Sequence, residues 1–308
     1  MIIDREETTL LARQGWGVEG MGLWRLRAGD DDGEPVPILP QGFAMSACAS
    51  GVHVLFAHDK GRTWTIRRID DVETVLASAV WDGEGWTLDG DASIWEDVPR
   101  YVKVDRGDGL SGLVRLAEGP ASIDPLNWFW DGPYDHGWQG LFGPVEIPGE
   151  SRLIFPVQRD SHPVIYDPEA RRVVGRLTLS GSHGNPSLRF LRTRPELWAD
   201  DRDTLLRLRT DTWDVMDSQV LQGASDAGVG QFIGDFWIPY DERVCFVARP
   251  FSGDVLTLDT DTFTVTSEIQ LGRQPLEVAR LGDELIARDW KTRSLMRAEL
   301  PDQLRRQR

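Results

Sequence analysis

Three stretches of this chain repeat one plan. Val164–Leu179, Leu206–Leu221 and Leu256–Leu271 each run from a short apolar segment, through a polar turn, into a second segment that ends on leucine. The third copy, Leu256-Thr-Leu-Asp-Thr-Asp-Thr-Phe-Thr-Val, shows the plan most plainly. The closing leucines 179, 221 and 271 stand 42 and 50 residues apart. A period of that size is the mark of a four-stranded propeller blade, and 308 residues divide into about seven blades of roughly 44 residues. The expectation is an all-β chain, a single β-propeller of six or seven four-stranded blades.

The rest of the chain agrees with short strands. Its 31 glycines and 18 prolines are scattered along the whole length, which breaks long helices. Between them lie segments such as Val52–Ala57, Thr63–Ile69, Leu153–Val157 and Val244–Ala248, rich in β-branched and aromatic residues. The stretch 195–208 also admits a helix opened by Pro195, but the repeat frame makes it strands. Residues 1–308 are expected to be one domain, with an insertion or lid loop at 118–138 and a basic tail at 301–308. Residues 13–40 look too short for a whole blade, which leaves six against seven open. The last blade shows only three strands, 276–281, 285–290 and 295–300. The N-terminal segment Thr8–Ala12 is expected to close the ring as its fourth strand, with Leu10 pairing near Met296.

From Asp254 to Ala287 the chain resembles the YVTN-type β-propeller repeat: an Asp-Thr turn, a strand, then a Gly-x-x-Pro step, here Gly272-Arg-Gln-Pro275, into a new innermost strand. The resemblance implies a fold and is nearly silent about chemistry. Asp59-Lys-Gly-Arg-Thr-Trp64 resembles the Asp-box turn of sialidases, with Ala57 where that box has a hydroxyl residue. No arginine triad accompanies it.

Charge narrows the partners. Lys and Arg number 34 against 50 Asp and Glu, a net charge of −16, which repels nucleic acid and anionic membranes. No run of 18 apolar residues is present, and the opening Met-Ile-Ile-Asp-Arg-Glu-Glu is unlike a secretory signal. Cys48 and Cys245 read as two buried thiols, and a cytoplasmic location is expected.

The repeat frame also aligns His136-Gly-Trp-Gln-Gly-Leu141 with His183-Gly-Asn-Pro-Ser-Leu188, 47 residues later. Loops at the start of an innermost strand share a face with the loop Gln158–His162. The expectation is a polar site at the mouth of the central channel. Its catalytic candidates are His136, His162 and His183 as acid, base or metal ligand, with Arg159 as anion holder and Asp160 beside it. Gln139, Asn185, Gln231 and Arg273 are candidate substrate-binding residues, with Trp128, Trp130 and Trp138 as aromatic cover. Plainer roles compete with each: turn residues, solvated carboxylates, inter-blade packing. The scattered Trp213 and Trp290 fit such packing. A divalent metal at His136, His162 and His183 is the weaker option, because no His-x-x-x-His spacing is present. The function so read is a small-molecule-binding propeller, an enzyme of the hydrolase, lyase or isomerase class acting on a polar or anionic substrate. The alternative is a non-catalytic protein-interaction scaffold, whose acidity favours a basic protein partner.

Overall fold

The computed structural model describes residues 1–14, 22–36, 44–47, 51–58, 62–80, 85–88, 100–106, 111–116, 123–126, 143–157, 162–179, 187–221 and 232–305. Seven antiparallel sheets follow one another along these residues. The first is β1 (Ile2–Ile3), β2 (Thr9–Gln14), β3 (Gly22–Arg27) and β4 (Glu34–Val36). The second is β5 (Ala44–Ala47), β6 (His53–His58), β7 (Thr63–Arg68) and β8 (Val75–Val80). The third is β9 (Trp86–Leu88), β10 (Tyr101–Arg106), β11 (Ser111–Arg115) and β12 (Asp124–Pro125). The fourth is β13 (Val145–Glu146), β14 (Leu153–Phe155), β15 (Val164–Asp167) and β16 (Arg172–Arg176). The fifth is β17 (Leu188–Phe190), β18 (Glu196–Asp201), β19 (Thr204–Arg209) and β20 (Val215–Val220). The sixth is β21 (Phe236–Trp237), β22 (Val244–Arg249), β23 (Asp254–Asp259) and β24 (Thr264–Gln270). The seventh is β25 (Pro275–Leu281), β26 (Glu284–Asp289) and β27 (Leu295–Glu299), followed by the short helix α1 (Asp302–Arg305). Strand order equals chain order in every sheet, as in a propeller of seven blades.

Two compact units hold these sheets. One comprises Met1, Ile3–Pro35 and Ser180–Arg308, and therefore the first, fifth, sixth and seventh sheets; the other comprises Ile2 and Val36–Leu179. Burial within a sheet explains the sequence pattern. Strands β18 and β22 are buried along their full length, so Val244-Cys-Phe-Val-Ala248 reads as a continuous apolar run with no alternation. The fourth strands β20 and β24 are mostly exposed, and their sequences mix polar residues with the exposed Val215, Met216, Val220 and Val265. In the first unit Trp198, Leu205, Phe236, Cys245 and Leu258 form one core cluster. Cys245 is a buried free thiol, and burial pushes its pKa well up. In the second unit Leu55, Val102, Val104 and Val114 pack together, and Phe155 meets Tyr166 edge-on.

The repeated turn has a common build. Asp167, Asp259 and Asp289 each close a strand and accept backbone N–H bonds from the residues two and three further on. For Asp259 these come from Asp261 at 3.1 Å and Thr262 at 2.7 Å. The turn then passes through a left-handed residue: Arg171, Trp213, Phe263 and Arg293 have φ between 52° and 63°. This is the four-residue connection with a bulge that matches the natural strand twist.

Several expectations change here. The described sheets number seven, because Ile2–Ile3 and the span 9–36 make a full four-stranded sheet. Asp124–Pro125, inside the expected insertion, is the fourth strand of the third sheet and pairs with Gly112 and Leu113. The stretch 195–208 is strand β18, a two-residue turn and strand β19, as the repeat frame expects. The seventh sheet does have three strands among the described residues, but Thr8–Ala12 does not complete it. Leu10 pairs with Leu26, and Met296 pairs with Ala287. A local hairpin closes a far smaller loop than pairing across the whole chain, so β2 goes to β3. The first and last sheets meet side by side instead. Ile3, Leu10 and Leu26 pack on Ala279, Leu281 and Ile286, and Arg280 binds Glu7.

Candidate functional site

Antiparallel order puts successive turns at alternate ends of each sheet. In the unit that contains β17 to β27, one end carries the turns 4–8, 28–33, 191–195, 210–214, 238–243, 260–263 and 282–283. Hydrogen bonds between neighbouring sheets tie these turns into a continuous rim. Glu242 accepts bonds from the backbone N–H groups of Arg192 and Thr193, the latter at 3.0 Å. Arg194 reaches the carbonyl of Thr260 at 3.2 Å and Asp261 at 3.0 Å. Arg280 donates to Asp241 at 3.3 Å and to Glu7, whose carbonyl takes the N–H of Gly282 at 2.9 Å. Glu7 and Glu242 are both buried, and both have positive φ, 56° and 51°. They hold equivalent places, each closing a turn on the carbonyl three residues before, Asp4 and Pro239.

This rim is acidic. Asp30, Asp31 and Asp32 stand in succession and exposed on one turn, and Asp211, Asp214 and Asp261 are exposed on others. The turns at the opposite ends carry Arg202, Arg273, Lys291 and Arg293 against Asp203 and Asp235 among the described residues, with Asp201, Asp254 and Asp289 buried at the strand ends beside them. The exposed negative charge on the turns of the unit is therefore gathered at one end.

A second polar group lies where the inner strands begin. Ser187 donates its backbone N–H to Asp200 and its hydroxyl to Asp235 at 2.8 Å, and Arg189 approaches Asp235 at 3.4 Å. Burial pushes the Asp200 carboxyl up to about 8, so it is largely protonated at neutral pH. Burial also raises Asp235. Each carboxyl is engaged by Ser187, and the group reads as a structural tie between the fifth and sixth sheets.

Of the site residues expected from sequence, two are described. His162 is half-buried just before β15, in the second unit. Arg273 is exposed in the turn before β25, in the first. His136, His183, Arg159, Asp160, Gln139, Asn185, Gln231, Trp128, Trp130 and Trp138 lie outside the described residues. No group of metal-binding side chains occurs among the described residues. A groove in the second unit, of about 220 Å³, is lined by Tyr101, Arg115, Asp124, Glu169 and Arg171. It is smaller than the roughly 300–1,000 Å³ of ordinary small-molecule sites, and Arg115 already pairs with Glu169 at 2.5 Å. Sequence reasoning missed the acidic rim. Its signal was in the turns, where aspartates recur in Asp30–Asp32, Asp211, Asp214 and Asp261.

No family model and no curated protein matches this sequence. Solved structures do match it across nearly its full length. The β-propeller domain of Cps50 (Swd1) from Myceliophteria thermophila shares 11% identity at a TM-score of 0.59, covering 97% of this chain and 96% of that one. The WD40 β-propeller domain of Doa1 shares 12% at 0.61, covering 99% and 93%. A chain of the mitotic checkpoint complex shares 11% at 0.59, covering 98% and 92%. Likeness at this identity shows the fold, a β-propeller, and leaves the chemistry to the residues. Among the described residues no helix is long and apolar enough to cross a membrane.

Proposed function

We propose that this chain is a non-catalytic interaction scaffold that docks a basic protein segment on the acidic rim of the unit holding β17 to β27. The observation that carries the reading is the imbalance of charge: on one set of turns Asp30, Asp31, Asp32, Asp211, Asp214, Asp241 and Asp261 outnumber the exposed Arg5, Arg192 and Arg243, and cations are in excess on the other. The similarity to the WD40 domain of Doa1 and to a chain of the mitotic checkpoint complex supports a scaffold. The resemblance to YVTN-type repeats is clearest over residues 254–287 and concerns the fold alone. The rim is suited to the task because its turns are cross-tied, so docking orders little backbone. Single exposed ion pairs contribute only about 0.2–1 kcal/mol, so recognition must use several aspartates at once and weaken with salt.

The test is calorimetric titration with a peptide alternating lysine and glycine. Reversing Asp30, Asp31 and Asp32 to lysine should weaken binding about tenfold. Reversing Asp70, Asp71 and Glu73 in the other unit should change it by less than about twofold. Equal losses from both sets would show attraction to net charge alone and would end the reading.

A further inference from the structure

The opposite end of the same unit carries a surface that the acidic rim does not use. Phe232 precedes β21, Phe251 lies in the turn between β22 and β23, and Trp290 follows β26. Their rings close a triangle. Phe232 and Phe251 are 5.1 Å apart, Phe232 and Trp290 5.4 Å, and Phe251 and Trp290 5.6 Å, all edge-to-face. All three keep part of their surface open to solvent.

The backbone beneath is fixed. A Cβ on Gly234 would stand 2.6 Å from the carbonyl oxygen of Leu276, and one on Gly253, at φ +77°, 3.0 Å from that of Arg273. Only glycine allows these approaches, and they seat the Phe232 and Phe251 segments against the chain entering β25. The N–H of Gly234 bonds to Ala248 at 2.9 Å, that of Leu271 to Gly253 at 3.0 Å, and that of Trp290 to Gln274 at 2.8 Å.

Among the described residues, the exposed charges on the segments next to Phe251 and Trp290 are positive, while Asp235, three residues from Phe232, is held by Ser187 and Arg189. Arg273 and Lys291 are both exposed. The nearby Asp289 carboxylate is engaged by the N–H groups of Lys291 and Thr292 at 2.9 and 2.7 Å, with the Thr292 hydroxyl at 2.9 Å. Bonded in that way, it stabilises its own turn and does not reach out to offset the cations.

We infer that the Phe232–Phe251–Trp290 triangle, flanked by Arg273 and Lys291, is a second docking surface, for an acidic protein segment that carries a large apolar side chain. Trp with Arg on a rigid, partly desolvated platform is the composition of an interface hot spot. A preorganised aromatic surface loses little entropy on binding. The apolar side chain packs on the rings, and carboxylates on either side meet the guanidinium and the ammonium. Ring faces also attract cations, but Arg273 and Lys291 repel a basic segment from this end. The surface is thus opposite in sign to the acidic rim, and it stands whether or not that rim docks anything.

The probe is the fluorescein-labelled peptide Asp-Asp-Trp-Asp-Asp, followed by anisotropy beside Asp-Asp-Ala-Asp-Asp and Lys-Lys-Trp-Lys-Lys. The acidic tryptophan peptide is expected to bind at least about tenfold more tightly than its alanine counterpart. It should lose about tenfold in the double variant Arg273→Glu/Lys291→Glu, whose exposed positions leave the melting temperature unchanged, and similarly in Trp290→Ala. The Asp30→Lys/Asp31→Lys/Asp32→Lys protein should bind it at least as well as wild type, which separates this surface from the rim. No saturable binding below about 1 mM, binding by both variants as tight as by wild type, or tighter binding of the lysine peptide that disappears in Trp290→Ala would each overturn the inference.

Discussion

At the scale of single residues, the buried acids carry the most information. Asp200 accepts the N–H of Ser187 inside the fifth sheet, and burial lifts its carboxyl from 3.8 to about 8. In the unfolded chain the same group ionises near its ordinary value. The folded state therefore holds a proton that the unfolded state releases, from about pH 4 up to about pH 8. The stabilisation is complete below pH 4 and is lost as pH rises through that window. Asp200→Asn keeps an acceptor for Ser187 and cannot ionise. Urea unfolding should show wild type losing stability relative to Asp200→Asn between pH 5 and pH 8, then running parallel to it. A constant difference across that range would mean that Asp200 is already ionised in the fold. Asp259 works in the opposite sense. The Thr262 N–H outweighs the opposing burial and, with the Thr262 hydroxyl and the Asp261 N–H, holds its carboxyl below the ordinary value. Its contribution is present above the ordinary carboxylate value and is lost as pH falls below it.

At the scale of elements, turns do the joining. Glu242 sits at φ 51°, a conformation that costs a non-glycine residue about 1 kcal/mol or more. Three bonds to the neighbouring turn, from the N–H groups of Arg192 and Thr193 and the Thr193 hydroxyl, offset that cost. Glu242→Ala keeps the strained φ and strands two backbone donors, so it should destabilise by about 2–4 kcal/mol. Thermal unfolding checks this, and a loss under about 0.5 kcal/mol would show that the link between the fifth and sixth sheets lies elsewhere. Glu7 repeats the device toward Arg280, and so the first sheet meets the last without exchanging a strand. Residue type offered no warning of these glutamates, because glycine and asparagine are the expected residues at positive φ. The same holds for Arg171, Trp213, Phe263 and Arg293 in the hairpin turns.

At the scale of the whole molecule, the net charge of −16 acts on every partner before contact. With aspartates crowded on one rim, self-repulsion opposes folding at low ionic strength. Screening operates over about 10 Å at 0.1 M salt and so weakens repulsion between exposed carboxylates further apart than that. Raising sodium chloride from about 0.01 M to 0.15 M should therefore raise the melting temperature. Reversing Asp30, Asp31 and Asp32 to lysine should reduce that rise. A melting temperature that falls with salt would mean that ion pairs such as Arg249–Asp254 outweigh the repulsion.

Period and polarity were legible from residue types alone. The leucines 179, 221 and 271 marked the blades, because a strand–turn–strand unit imposes a fixed length on its repeat. The strands of the later sheets fell where the apolar runs placed them, since burial of those runs is local to each sheet. What the order of residues could not convey was partnership across distance. Leu10 was free to pair at either edge until the hairpin with Gly22–Arg27 claimed it. Trp290 read as inter-blade packing until Phe232 and Phe251 were found beside it at a solvent-facing end. Such choices depend on which backbones come close enough to touch. At Gly234 and Gly253 it is the absence of a side chain, set against a carbonyl some twenty or more residues onward, that decides the approach.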